Sequence, residues 1–524
     1  MSWYDEAFFY HIYPLGLLGA PKINDYGETV HRLRELDPWI AHMKEMGASG
    51  LYIGPLFESV GHGYETTDYK KVDRRLGDND DLKDFVAKCH AAGIRVVLDG
   101  VFNHTGRDFF AFKDIKEKRE NSQYIDWYRN VNFHGNNEYN DGFSYDNWGG
   151  YNLLVKLNQR NPQVQEYICD VIQFWRDEFA IDGIRLDAAD VLDFGFMERL
   201  RRKADEMDCD FWLLGEVIHG EYSRWVNAHT LHCVTNYALY KALYSGHNDH
   251  NYFEIAHTIK RLGDMGTMRL YNFVDNHDVE RIYSRLRNKA HFVPVHVLLF
   301  ALPGMPSIYY GSEFAIEGRK QRHSDDSLRP MVNLDDYADN VYCKLITALG
   351  MARKETLALS YGSYRELYLS TKQYAFAREL DGNCVVAAVN NESRDVDIKI
   401  HGIQDGVYTG VLSGDSFEVK KTQATIRLRA DGGDIYIPEG IVFDRPAPVQ
   451  LPAVEKQKEE LDIDEVVAKA NTVSKPYEEM TVEELQNAIL AKMAKNGALT
   501  DRMRQDVAQN THRGSLLNWV RSFR

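Results

Sequence analysis

For roughly its first 350 residues the chain alternates short apolar runs with amphipathic stretches of helical period, the signature of repeated β-α units around a parallel sheet. The apolar runs predict strands at residues 7–13, 50–54, 95–99, 183–187, 211–216, 232–236, 270–275 and 307–310. Eight such units fit a (β/α)8 TIM barrel, with every strand ending at one common face. The spacing breaks once. Between the third strand, ending near His104, and a helix predicted to begin near Asn161, the sequence is aromatic, polar and glycine-rich. A stretch of about 50 residues exceeds an ordinary connection, so it predicts an inserted lobe on the C-terminal face of the barrel.

After about residue 360 the apolar period becomes two, as in Lys372-Gln-Tyr-Ala-Phe-Ala-Arg378, Val396-Asp-Ile-Lys-Ile400 and Ala424-Thr-Ile-Arg-Leu428. Turn signals at Asp381-Gly-Asn and Asp431-Gly-Gly separate these runs, which predicts a C-terminal antiparallel β-sandwich. The proline-bearing stretch Pro446-Ala-Pro-Val-Gln-Leu-Pro452 closes it, and a helical tail follows. There, Thr481-Val-Glu-Glu484 predicts a capping box opening a helix that Gly497 ends. The resulting division is a first barrel part at 1–103, the inserted lobe at 104–155, a second barrel part at 156–360, the β-sandwich at 361–446 and linker plus helical tail at 447–524.

Composition narrows the function. The 524 residues are 44% apolar, which suits a large buried core and excludes a disordered chain. The formal net charge of −16 argues against nonspecific nucleic-acid binding. The cysteines at 89, 169, 209, 233, 343 and 384 form no CxxC pair and no ligand cluster, so they read as free thiols. No run approaches the roughly 20 apolar residues of a membrane span, and the N-terminus lacks a signal-peptide pattern. The expectation is a cytoplasmic protein. The tail is acidic from Glu455 to Glu484 and mostly basic from Lys492 to Arg524. It reads as a helical appendage on its own chain, with a partner or homo-oligomer interface and anionic-membrane binding as alternatives.

The candidate chemistry sits at strand ends, in Asp99-Gly-Val-Phe-Asn-His104, Gly183-Ile-Arg-Leu-Asp187, Leu214-Gly-Glu216 and Phe273-Val-Asp-Asn-His-Asp278. A barrel gathers such residues at one rim. Retaining hydrolysis of a glycosidic bond needs an ionised carboxylate as nucleophile and a protonated carboxyl as acid, about 5 to 5.5 Å apart. Asp187 and Glu216 end consecutive strands. Arg185, two residues before Asp187 and so on the same strand face, is expected to keep Asp187 charged. Glu216 ends the apolar run Phe211-Trp-Leu-Leu-Gly, where burial is expected to hold its proton. Asp278 is placed to bind sugar hydroxyls more tightly as the transition state forms, and His104 and His277 to donate to others.

These segments resemble the four signature regions of the α-amylase family, the retaining α-glucan-active (β/α)8 enzymes, and the likeness runs from about residue 7 to about residue 445. By that resemblance Asp187 is the nucleophile, Glu216 the acid/base and Asp278 the transition-state stabiliser. Asp99, His104, Arg185 and His277 then surround the cleaved sugar, joined by His62 and Tyr64 of Gly61-His-Gly-Tyr64. Asp325 and Arg329 match a pair that holds the next glucose, and Tyr309-Tyr-Gly311 a structural segment. Leu154-Val-Lys-Leu-Asn158 is similar to a segment of the neopullulanase, cyclomaltodextrinase and maltogenic amylase group, although the barrel here starts within ten residues, without that group's N-terminal domain. Val217-Ile-His219 stands where that group carries a tryptophan, and Ala188-Ala-Asp-Val191 lacks the Lys-His pair of many α-amylases.

The resemblance implies an intracellular retaining hydrolase of α-1,4-linked malto-oligosaccharides or cyclodextrins, with some transglycosylation. An α-1,6-acting glucosidase or glucanotransferase is the alternative, and a noncatalytic binding or partner subunit the reading from another class. No cofactor is expected. Asn103 matches a calcium ligand of α-amylases, with metal independence the preferred expectation.

Overall fold

The computed structural model describes residues 2–266, 269–322, 324–441, 448–449, 481–495, 507 and 513–522. The chain forms two compact units, residues 1–452 and 453–524. In the first, eight parallel strands lie nearly wholly buried: β1 Phe9–Ile12, β2 Gly50–Ile53, β3 Arg95–Gly100, β4 Gly183–Leu186, β5 Trp212–Gly215, β6 Cys233–Val234, β7 Tyr271–Phe273 and β8 Met305–Tyr309. Each pairs with its sequence neighbour, and β8 pairs with β1. The Thr235–Tyr271 bridge joins β6 to β7, with the Asn236 N–H donating to the Tyr271 carbonyl at 2.9 Å, so the barrel closes. Strands buried on both faces read as continuous apolar runs, which is why their positions match the sequence expectation.

Four of the helices on the outside start at side-chain caps that the sequence supplies. Asp78 and Asp81 form a capping box on α1, Asn79–Ala91. Asn161 caps α2, Pro162–Phe179, with proline in its first turn. Asp193 caps α3, Phe194–Met207. Asn236 caps α4, Tyr237–Asn248. Between β5 and β6 the connection holds only a short 3-10 turn, Tyr222–Arg224.

The inserted lobe lies between β3 and α2. It carries strands His104–Thr105, Asn147–Trp148 and Tyr151–Lys156 in one sheet and a helix at Phe110–Lys118. A second excursion, which the periodicity did not announce, follows β2 as the antiparallel pair Phe57–Ser59 and Thr66–Val72. The turn between them holds His62 and Tyr64.

Beyond the barrel, β9 Ser363–Leu369, β10 Gln373–Leu380, β11 Asn383–Asn390, β12 Val396–His401, β13 Gly406–Gly410, β14 Ser416–Val419, β15 Gln423–Leu428 and β16 Gly432–Pro438 form the antiparallel C-terminal domain. Its six-stranded sheet has the order β9-β10-β11-β16-β13-β14, and β12 pairs with β15. Alternate residues such as Ile398, Ile400, Ile426 and Leu428 face its core.

In the second unit, helices Val482–Lys495 and Arg513–Ser522 share a core of Leu485, Ile489, Val507, Leu516 and Val520. Thr481 and Glu484 make the expected capping box, each backbone N–H donating to the other's side chain. Gly497 and most of residues 446–480 lie outside the described residues.

One glycine ties fold to site. Gly54, at the end of β2, has Asp99 so close that a Cβ there would meet the Asp99 Cβ at 2.2 Å. Gly54→Ala is therefore expected to push Asp99 away and to cost about tenfold to a hundredfold in turnover while the far-ultraviolet circular dichroism stays native. Wild-type turnover by that variant would contradict this placement.

Candidate active site

Strand ends place the acids around one guanidinium. Arg185 points into the barrel mouth from β4 and is 3% exposed. Its Nη1 donates to Asp99 Oδ1 at 2.9 Å, to Asp99 Oδ2 at 3.1 Å and to Asp187 Oδ1 at 2.8 Å. Its Nη2 lies 2.8 Å from Glu216 Oε2. Glu216 is held further by the Ala188 N–H, which donates to Oε2 at 3.0 Å, and by the Tyr237 hydroxyl, which donates to Oε1 at 3.3 Å. Asn276 Nδ2 in turn donates to the Tyr237 oxygen at 3.1 Å.

A second group forms at the end of β7. Arg329 Nη2 donates to Asp278 Oδ1 at 2.9 Å and to Asp325 Oδ2 at 3.5 Å, and Nε donates to the His277 carbonyl at 3.0 Å. Its guanidinium lies over the Tyr13 ring, 4.7 Å from the centroid. Lys320 Nζ donates to the Asp278 carbonyl at 3.1 Å. His277 Nε2 sits 3.1 Å from Asp278 Oδ2 and also bonds the Tyr64 hydroxyl. Tyr64 donates onward to Asp99 Oδ2 at 3.3 Å, so the two groups are connected through ring and hydroxyl. The Tyr13 and Tyr64 rings each lie nearly parallel to His277, with centroids 5.9 and 5.8 Å away.

His104 Nε2 contacts the Tyr64 carbonyl at 3.1 Å, which places it on the same wall. His62 is more exposed, with Nε2 3.1 Å from Glu65 Oε1. All the residues singled out as candidates thus fall in one connected set. Asp187, Glu216, Asp99, Arg185 and His277 form its buried floor, and Asp278, Asp325, Arg329 and His62 its rim.

The electrostatics differ from the expectation for Asp187. Burial pushes its carboxyl well above the usual range. Arg185 opposes this, while Glu216, Asp99 and Asp278 add to it. Glu216 is also raised by burial, with Arg185 opposing and Asp278 adding. Asp99 moves the same way for the same first cause. The guanidinium is shared by three acids and favours the charged form of each, while burial opposes it more strongly at all three. His277 is driven well below its ordinary value by burial and then by Arg329 and Arg185, so it is neutral.

Asn103 is fully buried, with Oδ1 accepting from Gln159 Nε2 at 3.5 Å and Nδ2 facing His104 Nδ1 at 3.2 Å. An amide nitrogen and an imidazole are not the oxygen donors calcium requires, so these surroundings do not fit that ion. Among the described residues, the one cluster of His, Cys, Asp or Glu with donors close enough to share a metal is His31, Asp78 and Asp81. Arg34 Nε donates to Asp81 there at 2.7 Å, placing a cation against it already.

Sequence reasoning missed Tyr13, Tyr52, Tyr237 and Lys320. Tyr52 donates to Asp99 Oδ2 at 2.9 Å. Tyr13 directly follows β1 in the manner of Asp187 after β4, so the strand-end rule could have found it, whereas Tyr237 is the first residue of α4. Lys320 lies on a long loop with no local signal.

Comparisons with known proteins come to the same place. A family model described as the α-amylase catalytic domain matches residues 36–344. A cyclomaltodextrinase from Thermoanaerobacter pseudethanolicus is 30% identical over 432 residues, covering 77% of this chain and 73% of that one. A solved structure of a cyclomaltodextrinase has a TM-score of 0.74 at 26% identity, covering 83% and 78% of the two chains. A debranching enzyme from Nostoc punctiforme, solved after soaking with acarbose, gives 0.71 at 25% identity, covering 83% and 98%.

The buried histidines generate a pH prediction. Burial holds His104 and His247 at about 3, and His232 and His296 at about 4, below the ordinary 6.5. Such groups bind more protons unfolded than folded as pH falls below 6.5, so their stabilising contribution is present above that pH and is lost toward 3. His104→Gln is expected to reduce the slope of unfolding free energy against pH by about 1.4 kcal/mol per pH unit between pH 6 and 4. Denaturant unfolding across that range measures it, and an unchanged slope refutes it.

Proposed function

We propose, from the premise that this chain belongs to the α-amylase family of glycoside hydrolases, that it cleaves α-1,4-glucosidic bonds in malto-oligosaccharides or cyclodextrins with retention of configuration. The observation that carries the mechanism is the single guanidinium of Arg185 held between Asp187 and Glu216. It holds the two carboxyls close across one small cation, which suits the separation of about 5 to 5.5 Å of a double displacement. Asp187 attacks the anomeric carbon while Glu216 gives its proton to the leaving oxygen. Water, deprotonated by Glu216, then releases the sugar from Asp187, and a second sugar in place of water gives transglycosylation.

Asp278 and His277 face the hydroxyls of the cleaved glucose, and bonds that tighten as the ring flattens lower the barrier. Tyr64 offers a ring face to the sugar's C–H surface. Asp325 and Arg329 hold the next unit. The likeness to a debranching enzyme supports α-1,6 cleavage as a second reading. Product analysis on maltotriose, panose and β-cyclodextrin separates the two: maltotriose and cyclodextrin turnover exceeding that on panose is expected, and the reverse order favours the second reading.

No cofactor enters this scheme, and with the surroundings of Asn103 described above, chelation by EDTA is expected to leave activity and melting temperature unchanged. The six cysteines are free, which suits a reducing compartment, and we read the protein as cytoplasmic. No described helix is long and apolar enough to cross a membrane. Beside its reading as an appendage of its own chain, the helical unit of residues 453–524 is offered as a self-association or docking element. Its deletion is expected to reduce the number of chains per particle seen by light scattering, and an unchanged number of chains would refute a self-association role.

Asp187→Asn is expected to lower kcat by on the order of a thousandfold or more with little change in melting temperature. Substantial residual hydrolysis would sink the assignment.

A further inference from the structure

A chain of hydrogen bonds that has no part in the scheme above ends on Glu216 Oε1. It begins at the backbone, where the Asp278 and Val279 N–H groups both donate to Asn276 Oδ1, at 2.8 and 3.2 Å. Two donors on one oxygen fix which end of the amide is which. Asn276 Nδ2 therefore faces the Tyr237 hydroxyl and donates to its oxygen at 3.1 Å. The phenol proton points elsewhere, and Glu216 Oε1 accepts it at 3.3 Å. Burial raises the Tyr237 hydroxyl well above its ordinary value, and Glu216 and Asp278 add to this, so it stays protonated and remains a donor. All three side chains are buried.

Tyr237 is itself held in place. It opens α4, whose cap Asn236 accepts the Leu239 N–H at 3.1 Å and donates to Asn272 Oδ1 at 2.8 Å. Thr235 Oγ1 accepts the Val217 N–H at 3.0 Å, which ties the residue after Glu216 to the end of β6. The Tyr237 ring meets Phe273 edge to face, with centroids 4.9 Å apart. The hydroxyl is thus fixed relative to the Glu216 backbone, and its bond to Oε1 selects one rotation of the carboxyl.

We propose that Tyr237 is a positioning residue whose hydroxyl, oriented by Asn276, aims Glu216 Oε1 at the leaving oxygen and steadies the carboxylate that proton transfer leaves behind. The inference rests on the role of Glu216 stated above. In the first step the Oε1 proton passes to the glycosidic oxygen, the bond from that oxygen to the anomeric carbon breaks, and an Asp187 oxygen forms the new bond. A protonated Oε1 keeps a lone pair for the Tyr237 bond, and that bond strengthens as negative charge appears. The hydroxyl favours the charged form of Glu216, as Arg185 does at Oε2, against burial and the carboxylates of Asp99, Asp187 and Asp278. Tyr52, the other phenol facing Glu216, is kept neutral by burial and adds no charge.

The test reads the pH dependence of kcat/KM on maltotriose, whose alkaline limb follows loss of the Glu216 proton. Tyr237→Phe keeps the ring and removes the donor. Its kcat is expected to fall by about tenfold, and its alkaline limb to move up by about 0.5 to 1 pH unit because the charged form has lost a partner. A ring-fluorinated tyrosine in place of Tyr237 is a stronger donor and is expected to move the limb down. That variant carries the test should the phenylalanine variant fail to fold. A limb that stays put in a folded variant, or moves the same way in both, overturns the positioning role while leaving the hydrolase reading intact. Wild-type protein that hydrolyses neither maltotriose nor β-cyclodextrin overturns the hydrolase reading, and this inference with it.

Discussion

Everything at the barrel mouth depends on the burial of the Arg185 guanidinium among Asp99, Asp187 and Glu216. An arginine withdrawn from water loses hydration worth several kcal/mol, which only well-placed partners restore. Here the partners are themselves acids that burial would otherwise neutralise. Arg185 is pushed well above its usual value, with burial opposing the shift and Asp99 and Glu216 driving it, so its charge is permanent. Each side of the contact makes the other tolerable, and removing either leaves an uncompensated charge in the core.

Because that arginine is fixed, the acids can be placed only by the backbone around it. Asp99 lies within β3, Asp187 just beyond β4 and Glu216 just beyond β5, three adjacent strands in register. Small residues make room where the acids crowd: Gly54 against Asp99, and Gly215 against Ala189. The chain accepts a left-handed alanine at 188 to bring a backbone N–H onto Glu216. The barrel supplies the coarse convergence, and these local approaches supply the fine adjustment.

This division explains what could be read from the sequence. Strands buried on both sides write themselves as apolar runs, so all eight appeared at the right places, and residues such as Asp187 and Glu216 were legible because strand ends converge. The antiparallel period of two likewise announced the C-terminal sheets. The hairpin of residues 57–72 was not announced, because its long strand mixes buried Thr66, Tyr69 and Val72 with exposed lysines in no simple alternation. Lys320 and Tyr237 enter the site through loops and a helix start, where no period operates. Arg185 favours the charged form of Asp187, as the shared strand face implies, but burial opposes it more strongly and neighbouring acids add to the opposition. Spacing along one strand shows that Arg185 and Asp187 share a face, but not that two neighbouring strands bring further acids to the same nitrogens.

That sharing bears on how two carboxyls with one cation take different roles in the proposed reaction. Arg185 reaches Asp187 and Glu216 at the same 2.8 Å and so does not distinguish them. The distinction comes from the remaining contacts. Glu216 Oε2 receives both Arg185 and the Ala188 N–H, whereas Oε1 accepts from Tyr237, so in the proposed reaction Oε1 is assigned as the oxygen that delivers the proton. Once Asp187 is esterified by the sugar, its negative charge is gone and the guanidinium is left to Asp99 and Glu216. Glu216 then ionises more readily than before, which is what a base acting on water in the second step requires. The shared arginine thus allows one glutamate to be an acid in the first half of the cycle and a base in the second, with the charge on Asp187 as the switch.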